Sequence, residues 1–170
     1  VESKYNVRRH EVETALKAIQ KVKPEVACLA ELTPKEFNEV KYVLSGVVSK
    51  RAEHVVMECK RVQDAVEALK AGDLVELGRL LNESHYSLRD LYEVTGRELD
   101  TLSALARKET GCLGSRMIGA GFGGCTISIV KKSAVEGFIR RVGKAYFDAI
   151  GYRASFYETS IEDGITVQKL

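Results

Sequence analysis

Most apolar positions in this chain fall at helical spacing. Val12, Ala15, Leu16, Ile19 and Val22 share one face of a helix that begins near Val7. Pro24 is expected to end it, because proline lacks the N–H that a helix interior needs. Thr33, Pro34 and Glu36 then mark the start of a short second helix. The threonine can cap, proline suits the first helical position, and the glutamate completes a capping box. Gly46 breaks the pattern. The longest run follows: Val48, Ala52, Val55, Cys59, Val62, Val66 and Leu69 alternate steps of four and three, a heptad seam. Gly72 stops that helix, Asp73 and Glu76 restart one, and Leu74, Leu77, Leu81, Ser84, Leu88 and Leu91 repeat the rhythm. Two heptad helices joined by so short a turn are predicted to form an antiparallel hairpin. A homodimeric coiled coil is the rival use of the same seams.

Thr95 and Glu98 predict another capping box, opening a helix with Leu99, Leu102 and Leu105 that ends at Gly111. Ser133 and Glu136 predict a further helix with Val135, Phe138, Ile139, Val142, Tyr146 and Ile150 on its buried stripe, stopped by Gly151. The spacing then changes to period two. Residues 125–130 alternate and are β-branched, so they predict a strand. Residues 154–161 alternate as well, and the turn residues Glu162, Asp163 and Gly164 make 165–170 their expected hairpin partner. The expected fold is α+β: helices packed on one face of a small, mainly antiparallel four-stranded sheet, with a helical hairpin, in one domain spanning 1–170.

Between the last helices lies the stretch with the most chemistry. Gly114, Gly119, Gly121, Gly123 and Gly124 fall within eleven residues, flanked by apolar runs. Gly119, Gly121 and Gly124 fit G-x-G-x-x-G. A dinucleotide fingerprint, however, opens a helix, and here a strand follows. The element reads as strand, glycine loop, strand. One reading is a tight connection that needs no ligand. The other is a loop whose backbone faces a phosphate or braces a neighbouring phosphate loop. The Walker pattern is absent.

Composition narrows the classes. Twenty-six basic and 24 acidic residues leave a net charge of +2 over 170 residues, which gives no nucleic-acid footprint. The apolar runs are shorter than the roughly 20 residues of a membrane span, so neither nucleic acid nor membrane is expected as a partner. Cys28, Cys59, Cys112 and Cys125 contain no C-x-x-C, so zinc is not expected and buried free thiols in a reducing cytoplasm are. His10, His54 and His85 sit on amphipathic helices and are expected to be structural, as are Arg8 and Arg9 as an ion-paired helix face.

Three strings carry a family resemblance. The twelve residues GSRMIGAGFGGC from Gly114 to Cys125 resemble the third signature motif of galactokinases, within the GHMP small-molecule kinase family. Ser3, Tyr5, Arg8 and Arg9 resemble the galactokinase segment S-x-Y-x-x-R-R. The run from Asn82 to Thr95 is similar to N-E-S-H-x-S-L-R-D-x-Y-E-V-S, with threonine in the last place. The resemblance implies ATP and magnesium as cofactors and galactose as the sugar phosphorylated at its anomeric hydroxyl. It implies a sugar contact for Tyr5, whose alternative role is packing at a helix start. It implies bracing of the nucleotide-phosphate side by Gly119, Gly121, Gly123 and Gly124. No catalytic or metal-binding residue is expected in this chain. The G-R-x-N-x-I-G-E-H and P-x-G-x-G-L-S-S-S-A motifs that carry those parts are not in it, and it opens at Val1. The chain is therefore expected to be the C-terminal half of a galactokinase, partnered by an N-terminal domain and inactive alone. A related kinase for N-acetylgalactosamine, a non-catalytic sugar and ATP sensor, and a free-standing interaction domain using the hairpin are the alternatives.

Overall fold

The computed structural model describes residues 3–160. Helix α1 runs Lys4–Ile19, capped by Ser3, whose hydroxyl accepts the Asn6 N–H at 3.3 Å. It starts earlier than the apolar stripe suggests, because the cap rather than the first valine sets the beginning. It also stops at Gln20, before Pro24. Gln20 Nε2 donates to the Val26 carbonyl at 2.9 Å, turning the chain so that Val26, not Val22, enters the core. Helix α2, Pro34–Val40, has the expected capping box. Thr33 donates both its N–H and its hydroxyl to the Glu36 carboxylate, which lowers the Glu36 pKa to about 2. Ile19, Leu29, Phe37, Ala52 and Val56 are the centre of the core that α1 and α2 form with α3.

Helix α3, Gly46–Ala71, begins at the glycine that breaks the apolar pattern, and ends at Gly72, left-handed at φ 68°. Asp73 caps α4, Leu74–Ser87, by accepting the Glu76 N–H at 2.9 Å. The hairpin is antiparallel: His54 meets Ser87, while Glu58, one turn further along α3, meets Ser84, one turn earlier on α4. The seam is buried over only part of its length. Ala52 is buried, but Val62, Val66 and Leu69 are 58, 43 and 51% exposed. Heptad spacing marks a face without saying what covers it, and toward the hairpin turn that face lies open.

Strand β1, Cys112–Ile118, pairs antiparallel with β2, Cys125–Val130, in a register that sets Ile118 opposite Cys125. Helix α4 lies directly on β1. A Cβ on Gly78 would stand 2.2 Å from the Leu113 carbonyl oxygen, and one on Gly114 would stand 2.2 Å from that of Gly78. Two glycines thus let helix and strand backbones touch. Helix α5, Arg97–Lys108, also packs on β1, where Ser103 Oγ donates to the Ser115 carbonyl at 2.8 Å. Helix α6, Val135–Ile150, buries Phe138, Val142 and Tyr146 and ends at Gly151, φ 95°.

Several expectations are corrected. Thr95 does not cap α5; the cap is Gly96 at φ 110°, and Thr95 is buried one residue earlier. Ser133 does not cap α6, because it falls inside a 3₁₀ turn, Lys132–Ala134, that precedes the helix. The α+β class holds, with two strands rather than four among the described residues. Residues 154–160 form no strand: Phe156 turns inward against Phe138 and Tyr157 outward, as their alternation implies, but a strand also needs a ladder partner. The expected partner at 165–170 lies outside the described residues. The thiols are not buried: Cys28 and Cys125 are exposed, Cys59 and Cys112 half-buried. No described helix is long and apolar enough to cross a membrane.

Candidate cleft at the glycine loop

The first turn of α1, the turn after α4 and the loop between the strands meet at one end of the molecule. Tyr5 stands 62% exposed on α1. With Arg9, Val12, Glu13 and Tyr92 it lines a shallow depression of about 210 Å³. One residue earlier, the Lys4 ammonium sits 5.1 Å from the centre of the Phe122 ring, tying α1 to the glycine loop.

After α4 the chain widens into a π-helical turn, Leu88–Tyr92, and leaves it through Glu93, left-handed at φ 55°. For a residue with a side chain this is an uncommon conformation. Two arginines hold the turn. Arg8 donates to the carbonyls of Tyr92 at 2.6 Å and Glu93 at 3.2 Å. Arg51, with its side chain 2% exposed, donates to the Leu91 carbonyl and pairs with Glu11 at 2.9 Å and Glu93 at 3.0 Å. Burial opposes its charge, and the two carboxylates outweigh burial, so its pKa is held above the usual arginine range. The Glu93 carboxyl is held below its usual range, chiefly by its hydrogen bond from Arg51. The Tyr92 ring stacks on His54 at 4.4 Å.

The next residue, Val94, carries the loop. Its carbonyl accepts the Phe122 N–H at 2.7 Å. Gly121, at φ 79°, packs so closely that an added Cβ would lie 2.1 Å from that same oxygen. Phe122, Gly123 and Gly124 continue at φ 59°, 104° and 117°, and Gly119 is at 79°. At Gly119, Gly123 and Gly124 an added Cβ would meet nothing within 4 Å. One glycine therefore faces inward, and three keep side chains out of open space. Gly123 and Gly124, with Lys4, Thr95 and Phe122, border a groove of about 1510 Å³ that continues past β2 toward Phe138 and Tyr152. Tyr5 and the glycines are neighbours but line separate concavities.

Two of the histidines, His54 and His85, serve the frame, while His10 is exposed on α1. His54 Nδ1 lies 2.8 Å from Ser87 Oγ, and burial lowers its pKa to about 4. His85 is fully buried; its Nδ1 accepts the Met117 N–H at 3.1 Å, which leaves the proton on Nε2. That nitrogen is 3.1 Å from Asp100 Oδ1, without a well-aligned hydrogen bond. Burial holds the His85 pKa below its ordinary value. Arg9 pairs with Glu13 on the surface, and Arg8 with Glu11. Among the described residues no cluster of three or more His, Cys, Asp or Glu could hold a metal ion. Near the loop the carboxylates of Glu93 and Asp90 are engaged by Arg51 and Arg89.

Sequence reading missed Arg51, Glu93 and Val94 as parts of this site. Arg51 adjoins Ala52 of the seam, and nothing in its spacing separates it from a solvated helix arginine. Glu93 and Val94 lie within a quoted motif, but a left-handed backbone at a glutamate leaves no local trace.

This arrangement belongs to a small-molecule kinase fold. A family model described as GHMP kinases C terminal matches residues 65–149, half of the chain, and the chain belongs to that family. Similar curated proteins include the galactokinase of Clostridium beijerinckii, 54% identical over 164 residues, covering 96% of this chain and 42% of that protein. The galactokinase of Limosilactobacillus reuteri is 49% identical over 163 residues, 95% of this chain and 41% of that protein. The crystal structure of Lactococcus lactis galactokinase complexed with galactose matches with a TM-score of 0.89 and 47% identity, over 92% of this chain and 40% of that one. The chain thus spans about two fifths of the length of the relatives it matches.

Proposed function

We propose that this chain is the C-terminal part of a galactokinase, which transfers the γ-phosphoryl group of ATP to the anomeric hydroxyl of galactose. The observation that carries the reading is spatial. The three strings that resemble galactokinase motifs, far apart in sequence, close on one turn: Arg8 binds the carbonyls of Tyr92 and Glu93, and the Val94 carbonyl binds Phe122. Identity to galactokinases of 49–54% along almost the whole chain supports it.

Phosphoryl transfer asks a protein mainly for positioning and for charge stabilisation on the moving group. In this reading Tyr5 offers its phenol and ring face to the sugar. Gly119, Gly123 and Gly124 leave room for the nucleotide-phosphate side to approach the backbone, which a Cβ would fill. Gly121 fixes the loop on Val94. ATP with magnesium supplies the phosphoryl group, and the carboxylate that orients the sugar hydroxyl comes from the N-terminal part of the same enzyme. Four free cysteines suit a reducing cytoplasm.

The test is galactose-dependent ADP formation by the full-length protein and by residues 1–170 alone. Turnover by the first and none by the second is expected. Turnover with N-acetylgalactosamine but not galactose would replace the substrate assignment. Binding of sugar and ATP without turnover by the full-length protein would replace catalysis with sensing.

A further inference from the structure

We propose that Arg51 is a positioning residue of this kinase: it fixes the glycine loop by holding Glu93 in its left-handed conformation. The inference rests on the galactokinase reading for its activity readout only. Glu93 is one of two non-glycine residues with positive φ among those described; the other is Phe122, at the far end of the same contact. Such conformations persist where the surroundings over-determine them, and they gather at functional sites. Here the surroundings can be named. Arg51 binds the Leu91 carbonyl and the Glu93 carboxylate, Arg8 binds the Tyr92 and Glu93 carbonyls, and the Val94 N–H returns to the Leu88 carbonyl at 3.1 Å. Glu11 receives both arginines and locks them together.

From Glu93 only one residue leads to the loop. The direction of the Val94 carbonyl depends on the backbone turn just before it. That carbonyl accepts the Phe122 N–H and stands against Gly121. If Glu93 relaxes to an ordinary right-handed or extended backbone, Val94 O swings and the loop loses its anchor. The same turn holds the Tyr92 ring beside Tyr5. Arg51 itself is buried and lines neither concavity, so its effect passes through the turn. A planar fork can bind a carbonyl and two carboxylates at once, which lysine cannot reproduce.

The experiment uses the full-length protein with Arg51→Met, Arg51→Lys, Glu93→Gly and the double variant of Arg51→Met with Glu93→Gly. Glycine takes the left-handed conformation without help. Arg141→Gln, which removes a surface ion pair with Glu109 remote from the loop, is the control. Two readouts are taken where every variant is folded: kcat/KM for galactose, and hydrogen exchange of the segment carrying the Phe122 amide. Arg51→Met is expected to lower kcat/KM about tenfold or more and to speed exchange at the loop, with Arg51→Lys close behind. The double variant should recover much of both losses, and Arg141→Gln should change neither. Unchanged kinetics and exchange in Arg51→Met would overturn the proposal. So would losses that Glu93→Gly fails to rescue, since Arg51 would then be an ordinary part of the core. If Arg51→Met does not fold, Arg51→Lys with and without Glu93→Gly decides by the same two readouts. A wild-type protein inactive on galactose would sink the galactokinase reading, while the exchange measurements would still decide the role of Arg51.

Discussion

Tyr5 and Gly121 show how differently two single residues depend on their surroundings. The Tyr5 ring is mostly in solvent, so its hydroxyl contributes little to folding. In the full-length enzyme Tyr5→Phe should therefore leave the unfolding midpoint unchanged while weakening galactose use by about 1–2 kcal/mol, the scale of one hydrogen bond. Unchanged kinetics would make the residue structural. Gly121 is the opposite case. Its φ of 79° disfavours any side chain, and the Val94 oxygen occupies the place of a Cβ. Gly121→Val should cost roughly 3 kcal/mol or more and abolish turnover, seen as a lowered unfolding midpoint and a loss of ADP formation. Wild-type stability in that variant would show that the loop is free to rebuild. The glycine string in the sequence announced a tight loop; which glycine is tight emerged only from the contact with Val94.

Between elements, the contact of α4 with β1 decides where the motif residues stand. Gly78 lies inside a helix, where glycine costs about 1 kcal/mol relative to alanine by propensity alone. Gly78→Ala would improve propensity yet drive a methyl group to 2.2 Å from the Leu113 carbonyl oxygen. The clash lies against backbone, which cannot rotate away. We expect a net loss of roughly 2 kcal/mol or more, measured by denaturant unfolding. A stabilised variant would mean that α4 can lift from the strand without cost. The hairpin itself was legible in the two heptad runs and in the Gly72 and Asp73 signals between them, since spacing and caps are local. The open stripe of Val62, Val66 and Leu69 was not, because exposure depends on what else the fold places nearby.

For the molecule as a whole, buried neutral histidines make stability depend on pH. In the unfolded chain His54 takes up a proton near 6.5, but in the fold only near about 4. Between those values the unfolded state binds more protons. The stabilisation is full above about pH 6.5 and is lost as pH falls toward 4. His85, also lowered by burial, adds in the same direction. Glu36, held at about 2, adds its loss only once pH falls into the carboxylate range. The thermal midpoint should fall between about pH 6.5 and 5, and His54→Gln should flatten that fall. An unchanged slope would place the dependence elsewhere.

What the sequence decided alone is what adjacent residues settle among themselves. Helical and strand periods, the capping box at Thr33, the stop at Gly72 and the chemistry of the glycine string are all local, and so is the family they resemble. Local signals misled at Thr95, Ser133 and the alternating 154–160: Gly96 takes the cap of α5, a 3₁₀ turn precedes α6, and a strand needs a ladder partner that its own spacing does not supply. The burial of Arg51, the left-handed turn at Glu93 and the meeting of Gly78 with Gly114 belong to the assembled molecule. Each is stabilised or required by groups dozens of residues away, and no pattern within one element encodes them.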